Sequence, residues 1–371
     1  MALTNFAALT AEAKTMWSMD LWKQARNASF INRFTGTGDD AVFQRITQLK
    51  KSEKGARAVI TLLHDLEGDG VAGDRQLEGM EEAMSTGEQV IRIDQLRHAN
   101  RNEGRLADQK SIVTFRENSR NVLSYWLADR IDQLAFLTLS GVTYANKQDY
   151  TARVGSDFPS LEFAADVVPP SAARVASFTA TGLNIGGAIS DVLVLPTWNM
   201  MVDTKAYMKE QYIRPIRGDN SNGEEVYHVF VTPTCAAALK KDPDYVSALR
   251  NARERSASNP LYKGGLIDVD GLVLHEHRHV IHGLDDAQEA TSPFTGLTTG
   301  QSACQMLFCG TQAMGLADIG NPEWVEKEFD YDNSPGISVA KMFGMLKPQF
   351  HSIYSGTTED FGVMSVYVRQ S

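Results

Sequence analysis

The chain has 371 residues, of which 43% are hydrophobic and 22% charged, with a formal net charge of −10. This length allows two or three folding units with a substantial core, and the composition excludes disorder over most of the chain. An acidic chain gains little from neutralising phosphates, which disfavours specific nucleic-acid binding but not a protein that surrounds DNA without binding it. The N-terminus lacks the pattern of a signal peptide, and no apolar run approaches the roughly 20 residues that cross a bilayer, so we expect no membrane partner.

Residues 1–50 consist of short amphipathic pieces with polar breaks. Met16, Trp17, Leu21 and Trp22 fall on one face of a predicted helix, and a Gly- and Thr-rich loop follows at residues 35–40. A compact core rarely begins in this way. We therefore predict an extended arm that lies on another surface, with Trp22 as a contact candidate.

Two strand patterns enclose a long polar segment. Residues 56–64 form a short apolar run, and residues 90–95 alternate with a period of two. Together they predict a projecting hairpin. Residues 61–90 carry a net charge of −7 and residues 91–120 a net charge of +3. One interpretation is that both are solvated faces; the other is charge complementarity between neighbouring copies, for which the contact candidates are Asp69, Asp74, Glu78, Glu81, Arg92, Arg97 and Arg101.

The clearest helix spans residues 111–140. Its apolar residues recur at threes and fours, neither Gly nor Pro interrupts it, and Gly141 is a natural stop. Its length would be roughly 40 Å, which suits a backbone on which other elements pack. Residues 142–190 are predicted to be irregular, and a second helix is predicted within residues 191–213.

Residues 225–320 are predicted to form a separate α/β unit. It contains a buried strand ending before Pro233, a helix pair capped by a Thr, and two strands separated by Gly. Further strands follow from residue 326 and end in the alternating FGVMSVYV. The three cysteines, Cys235, Cys304 and Cys309, have no regular spacing, which favours buried thiols in a reducing cytoplasm over a disulfide framework.

One string matches a catalytic motif. Residues 275–279, HEHRH, fit H-E-x-x-H, which binds zinc when both histidines share a helical face. The β-branched and Gly-punctuated flanks instead indicate a strand, in which residues i and i+4 lie about 13 Å apart, too far for one ion. A polar strand is favoured, with a zinc hydrolase or a histidine pH sensor as alternatives.

No other motif selects an active site. Asp65, Glu67 and Asp69 resemble the opening of an EF-hand loop, but Gln76 stands where a bidentate carboxylate is required, so an acidic turn is favoured over calcium. Phosphate-binding, dinucleotide and nucleophile-elbow patterns are missing from the sequence. We therefore expect no metal, no cofactor and no enzymatic activity.

In order along the chain, the motifs GDGVAGDRQLEGMEE, VIRIDQLRHANRNEGRLADQ, WLADRIDQLAFLTLSG, VFVTPTCAAALKKDPDY, NPLYKGGLIDVDGLVLHEHRHV and EFDYDNSPGISVAKMFGMLKPQF resemble tailed-bacteriophage major capsid proteins of the phage N4 type. The resemblance runs from about residue 20 to the C-terminus. It implies an α+β protein with the HK-97-like capsid fold. The implied parts are an N-terminal arm (1–55), an E-loop hairpin (56–110), a peripheral domain (111–224) with a spine helix (111–140), an axial domain (225–320) and a return to the peripheral domain (321–371).

The resemblance also implies a function. Copies would assemble as pentamers and hexamers into an icosahedral shell that encloses double-stranded DNA without sequence-specific binding, in a virion assembled in the host cytoplasm. The expected partners are other copies, a portal protein, an optional decoration protein and a scaffolding protein, because the arm is too short to hold an internal scaffold. An encapsulin-type compartment shell is the alternative with the same fold.

Overall fold

The computed structural model of the chain describes residues 21, 24–25, 28–38, 40–46, 57–63, 68, 70–82, 86–110, 115–186, 192–217, 225–251, 267–284, 302–352 and 356–370. Within these ranges the helices are α1 (Arg105–Lys110), α2 (Phe115–Ser140), α3 (Trp198–Glu210), α4 (Pro233–Lys241) and α5 (Pro243–Asn251). The strands are β1 (Thr35–Gly36), β2 (Phe43–Ile46), β3 (Arg57–Leu63), β4 (Thr86–Arg92), β5 (Asp94–Arg101), β6 (Val175–Thr179), β7 (Gly182–Ile185), β8 (Ile216–Arg217), β9 (Glu225–Val231), β10 (Ile267–Val269), β11 (Leu272–Glu276), β12 (Ala303–Cys309), β13 (Met314–Phe329), β14 (Ser334–Leu346), β15 (Gln349–His351), β16 (Thr358–Asp360) and β17 (Val363–Arg369). None of these helices combines the length and apolar composition needed to cross a membrane.

The strands form two main sheets. A five-stranded sheet has the order β1-β2-β13-β14-β5, and an eight-stranded sheet has the order β10-β11-β9-β12-β17-β6-β7, with β8 beside β9. The two remaining pairs are β3–β4 and β15–β16. The fold is therefore a mixture of helices and sheets, as the sequence predicted, and the sheets contain both parallel and antiparallel pairs.

Helix α2 begins on the five-stranded sheet and ends between the five-stranded and eight-stranded sheets. Near its middle, Trp126 stacks on His98 of β5 with ring centroids 4.5 Å apart. Every residue from 131 to 140 is buried. Gly141 ends the helix with φ +70°, and a Cβ there would lie 2.6 Å from the carbonyl oxygen of Val168. The predicted helix is confirmed for residues 115–140, whereas residues 111–114 lie outside the described ranges.

The centre of the eight-stranded sheet is covered on both faces. Along β17, Val363 and Tyr367 join the core that surrounds α2, while Met364, Val366 and Val368 join a second core under α3 and α4. The alternation predicted for FGVMSVYV therefore separates two buried cores, not a buried face from a solvated one. This strand lies beside β12 and β6, which fall in different predicted domains.

Several local predictions were confirmed. A helix occupies Trp198–Glu210, and the Thr232 hydroxyl caps α4 by accepting a hydrogen bond from the backbone N–H of Cys235 at 3.3 Å. The Gly-separated strands β10 and β11 pair antiparallel. Residues 142–190 are less irregular than predicted, since β6 and β7 form a hairpin there.

The expectation of free thiols was wrong for two cysteines. Cys235 and Cys304 form a disulfide, whereas Cys309 is a buried free thiol. The two paired residues are 69 positions apart and meet only because α4 packs on the sheet that contains β12. Sequence spacing cannot reveal such a pair.

The described part of the predicted arm packs on its own chain. Ile31, Val42 and Phe43 are buried in the core that also contains the end of α2. Strand β2 extends the five-stranded sheet by pairing parallel with β13. These aromatic and β-branched residues find their burial within one copy, which the polar breaks in the sequence did not indicate.

Candidate inter-subunit interface

The hairpin β3–β4 is fixed at its base. Its strands pair antiparallel from Arg57 opposite Arg92 to Leu63 opposite Thr86. Ala58 and Ile91 are buried against residues of β13 and β14. Gly344 permits this contact, because a Cβ at that position would lie 2.1 Å from the carbonyl oxygen of Arg92.

The described part of the segment between the strands is largely exposed to solvent. All of residues 72–82 are exposed, including the large apolar side chains of Leu77 (58% exposed) and Met80 (72%). A turn holds them together, since the backbone N–H of Met80 donates to the carbonyl oxygen of Leu77 at 3.0 Å. The Glu81 carboxylate braces this turn by accepting from the N–H of Gly79 at 2.7 Å. We call residues 70–82 the acidic loop.

Most of the predicted acidic contact candidates lie in this loop. Asp74, Glu78 and Glu81 are exposed there, within a few residues of one another. Asp69 and Trp22 lie outside the described residues. The sequence analysis did not select Leu77 and Met80. Two large apolar residues three positions apart in a charged segment could have indicated an interaction site.

The three arginines predicted as inter-subunit contacts lie in two different structural environments. Arg92 forms an ion pair with Asp166 of its own chain, with Nε 3.5 Å from the carboxylate. Arg97 and Arg101 are exposed on β5, at the edge of the five-stranded sheet. Arg101 lies over the ring of Phe329 at 4.4 Å and donates to the Ser334 hydroxyl at 2.9 Å. The sheet therefore brings Arg97 and Arg101 together and separates them from Arg92.

The surface between these two arginines is uncharged. Strand register places Ala99 of β5, Ser338 of β14 and Val325 of β13 side by side in one row, between the positions of Arg97 and Arg101. Ala99 is exposed, and Val325 is 52% exposed. The opposite face of β5 contacts α2, where the Asn100 side-chain amide donates a hydrogen bond to the Ser119 hydroxyl at 3.2 Å. We call the open face, from Arg97 to Arg101 across β14 to β13, the basic face.

The HEHRH string has no helical setting. Strand β11 ends at Glu276, and His277–His279 follow in a turn, so the predicted strand is confirmed only as far as Glu276. His275 hydrogen-bonds His228 at 2.8 Å, and His279 hydrogen-bonds Asp129 at 2.8 Å. Across the described ranges, no group of three or more His, Cys, Asp or Glu side chains is placed to hold a metal ion. Asp65, Glu67 and Asp69 lie outside those ranges.

Two solved structures with a similar architecture are phage capsids. The capsid of Ralstonia phage GP4 is 25% identical, with a TM-score of 0.71, over 92% of this chain and 91% of that chain. The capsid asymmetric unit of cyanophage Pam1 is 15% identical, with a TM-score of 0.69, over 100% of this chain and 96% of that chain. The two sheets and the long helix thus define an HK-97-like capsid fold.

The sequence comparisons agree with the fold. Residues 5–370 match the family model described as phage capsid protein. The major capsid protein of Pseudomonas phage KPP25 is 57% identical over 370 residues, which are 98% of this chain and 97% of that protein. This chain belongs to the phage capsid protein family.

Proposed function

We propose that this chain is the major capsid protein of a tailed bacteriophage of the N4 type, with no catalytic role. Copies would assemble as pentamers and hexamers into an icosahedral shell around double-stranded DNA, with a scaffolding protein during assembly, a portal protein and an optional decoration protein as partners. The observation that carries the proposal is the match of residues 5–370 to one capsid family. An encapsulin-type shell, which would share the fold, is not favoured by these relatives.

The acidic loop and the basic face are the proposed contacts between copies. The loop carries two exposed apolar side chains with carboxylates on either side, and the basic face carries an uncharged row, which includes Ala99 and Val325, with an arginine on either side. Large exposed apolar residues commonly mark an interaction site, and complementary charge sets its register. We infer that the hairpin is the E-loop of the capsid fold and that its tip seats on the basic face of a neighbouring copy.

Each such contact is small, and closure of a shell supplies many of them. Exposed ion pairs contribute about 0–1 kcal/mol each. Because contacts on one rigid copy act together, weak individual interfaces still give a stable shell. Charge reversal at one contact is therefore repeated at every equivalent position in the shell.

A charge exchange tests this contact. We expect the pair Arg97→Glu with Arg101→Glu, or Glu78→Arg with Glu81→Arg, to leave a folded, soluble subunit that forms no shells by sedimentation and electron microscopy. All four changes together should restore shells, because the complementarity is restored with reversed sign. Normal shells from either pair would refute the contact, whereas a wild-type chain that stays monomeric with its scaffolding protein would refute the function itself.

A further inference from the structure

Five of the eight histidines of the sequence are His228 and the four histidines within residues 275–282, and three of them surround one short N-terminal segment. That segment, residues 29–34, lies between helix α2 and the strands β9 and β11, and we call it the latch. The aromatic and imidazole rings around it form the clamp, which comprises Phe136, His228, Phe230, His275 and His277.

The latch is bound by stacking as well as by hydrogen bonds. The ring of His277 stacks on Phe30, at 4.4 Å and 22°, and on Phe136, at 5.0 Å and 19°, and these two phenyl rings also contact each other at 6.2 Å. Phe34 meets the ring of His275 edge-on at 4.6 Å and the ring of His228 at 5.2 Å. The histidines therefore form part of an apolar surface, where an uncharged ring is favoured over an imidazolium.

Asp132 holds the backbone of the latch. Its carboxylate accepts hydrogen bonds from the Ser29 hydroxyl at 2.7 Å, the N–H of Phe30 at 2.8 Å and the N–H of Ile31 at 3.2 Å. All three donors come from adjacent residues, so the attachment is made or lost as one unit. Because the Asp132 carboxylate is buried, loss of these three hydrogen bonds would also leave a buried charge without partners.

We infer that the latch is an acid-sensitive device, which is seated while the clamp histidines are neutral and leaves the clamp when they take up protons. The His228–His275 hydrogen bond, 2.8 Å from Nδ1 to Nε2, needs one ring as acceptor, and two imidazolium rings cannot form it. Arg33 of the latch itself adds positive charge beside His275 and His277. Opening would expose Phe30 and Phe34 and free the N-terminal segment from α2. This goes beyond the proposed shell function and does not depend on it.

The pKa values of the clamp histidines support opening of the latch in acid. Burial lowers the pKa of His228 to about 4, and burial with the charges of neighbouring His228 and Arg33 lowers the pKa of His275 to about 4. Burial, with His279 and Arg278 nearby, lowers the pKa of His277 to about 4 as well. Histidines with a pKa below their ordinary value bind fewer protons in the seated state than in the open one. The seated state is therefore favoured above about pH 6.5 and loses stability as the pH falls towards 4.

The other charged groups around the clamp are mostly paired. Helix α2 contributes Asp129, which hydrogen-bonds His279 and Arg278, and helix α4 contributes Lys240, paired with Glu276 at 2.6 Å. Burial alone would raise the pKa of Asp129, but the bonds and charges of His279 and Arg278 lower it overall. Burial raises the pKa of Asp132, which opposes release in acid. One carboxyl acts against three histidines, so the net effect is opening in acid.

Hydrogen exchange of the soluble full-length subunit tests the latch. Between pH 7.5 and 5.0, after correction for intrinsic rates, we expect the opening equilibrium for peptides that contain residues 29–34 to rise by at least about tenfold, with uptake of about two protons or more. Peptides from Val363–Arg369 serve as the internal reference and should not change. An unchanged corrected rate in the latch peptides would overturn the inference from the wild-type protein alone.

Variants then identify the responsible groups. His277→Phe keeps the stacking and removes one titrating ring, so it should reduce the proton uptake by about one. The combination of His228→Gln, His275→Gln and His277→Phe should make latch exchange nearly independent of pH. His351→Gln, an exposed site outside the clamp, should behave as wild type. If His277→Phe retained the full wild-type pH dependence, the assignment to the clamp would be wrong, even if the triple variant failed to fold.

Discussion

The latch and the acidic loop both come from segments that the sequence predicted to reach away from the body of the chain. The latch carries Phe30 and Phe34, and its own copy supplies matching rings and a carboxylate for its backbone. The acidic loop carries Leu77 and Met80 among carboxylates, and its own copy leaves both side chains exposed. Closely spaced aromatic residues gain enough from burial to fold back, whereas isolated apolar residues among charges do not. Extended segments of a shell protein are therefore not equivalent, and their aromatic content separates anchors from outward contacts.

The largest effect should follow from removing a ring beside the latch. Phe43 is fully buried and stacks on Phe230 at 5.9 Å. We expect Phe43→Ala to lower the free energy of unfolding by about 3–5 kcal/mol, measured by urea denaturation of the soluble subunit. A loss below about 1 kcal/mol would show that the described N-terminal segment is not part of the core, and the comparison with the acidic loop would fail.

A smaller loss should follow from removing the carboxylate that holds the latch backbone. Asp132→Ala leaves the donors of Ser29, Phe30 and Ile31 without an acceptor in a buried site, and we expect a cost of about 2–3 kcal/mol. Asp203→Ala, at an exposed position of α3, is the matched control and should change stability by less than about 0.5 kcal/mol. Equal effects of the two substitutions would contradict an anchored latch.

We expect the base of the hairpin to be destabilised by an added methyl group, because it packs closely on β14. The exposed tip should not be sensitive to such a change. A Cβ at Gly344 would meet the Arg92 carbonyl oxygen, so Gly344→Ala should cost about 1–3 kcal/mol and increase hydrogen exchange in Thr86–Arg92. Gly38→Ala is the control, because a Cβ there meets no atom within 4 Å. A well-tolerated Gly344→Ala would mean that the hairpin base is not held against β14.

The smallest effect on the subunit should come from the acidic loop. Leu77→Ser with Met80→Ser should leave the free energy of unfolding within about 0.5 kcal/mol of wild type, because both side chains are already in water. If the loop seats on a neighbouring copy, the same variant should form fewer shells by sedimentation. A destabilised subunit would show instead that the loop packs on its own chain.

Local patterns determined much of the fold. Alternation and apolar periodicity predicted the hairpin strands and helix α2, while capping and glycine signals predicted its glycine stop, the Thr cap and the Gly-separated strands β10 and β11. The order of weak motifs predicted the capsid family, which the comparisons confirmed. The prediction was weaker at residues 142–190, where β6 and β7 are short strands that pair with each other and join the sheet through the pairing of β6 with the distant β17.

For the candidate interface, the sequence determined the sign of the charge on each segment but not its neighbours. Arg92, Arg97 and Arg101 are equally basic in the sequence, yet only the tertiary structure decided that Arg92 pairs with Asp166 while the other two share an open sheet face. The same holds for Cys235 and Cys304, and for the histidines that meet Phe30 and Phe34 across about two hundred or more residues of chain. Propensity and periodicity depend on neighbours in the chain, so a sequence displays them directly. Ion pairs, ring stacking and burial depend on which distant elements pack together, and only the folded structure sets that.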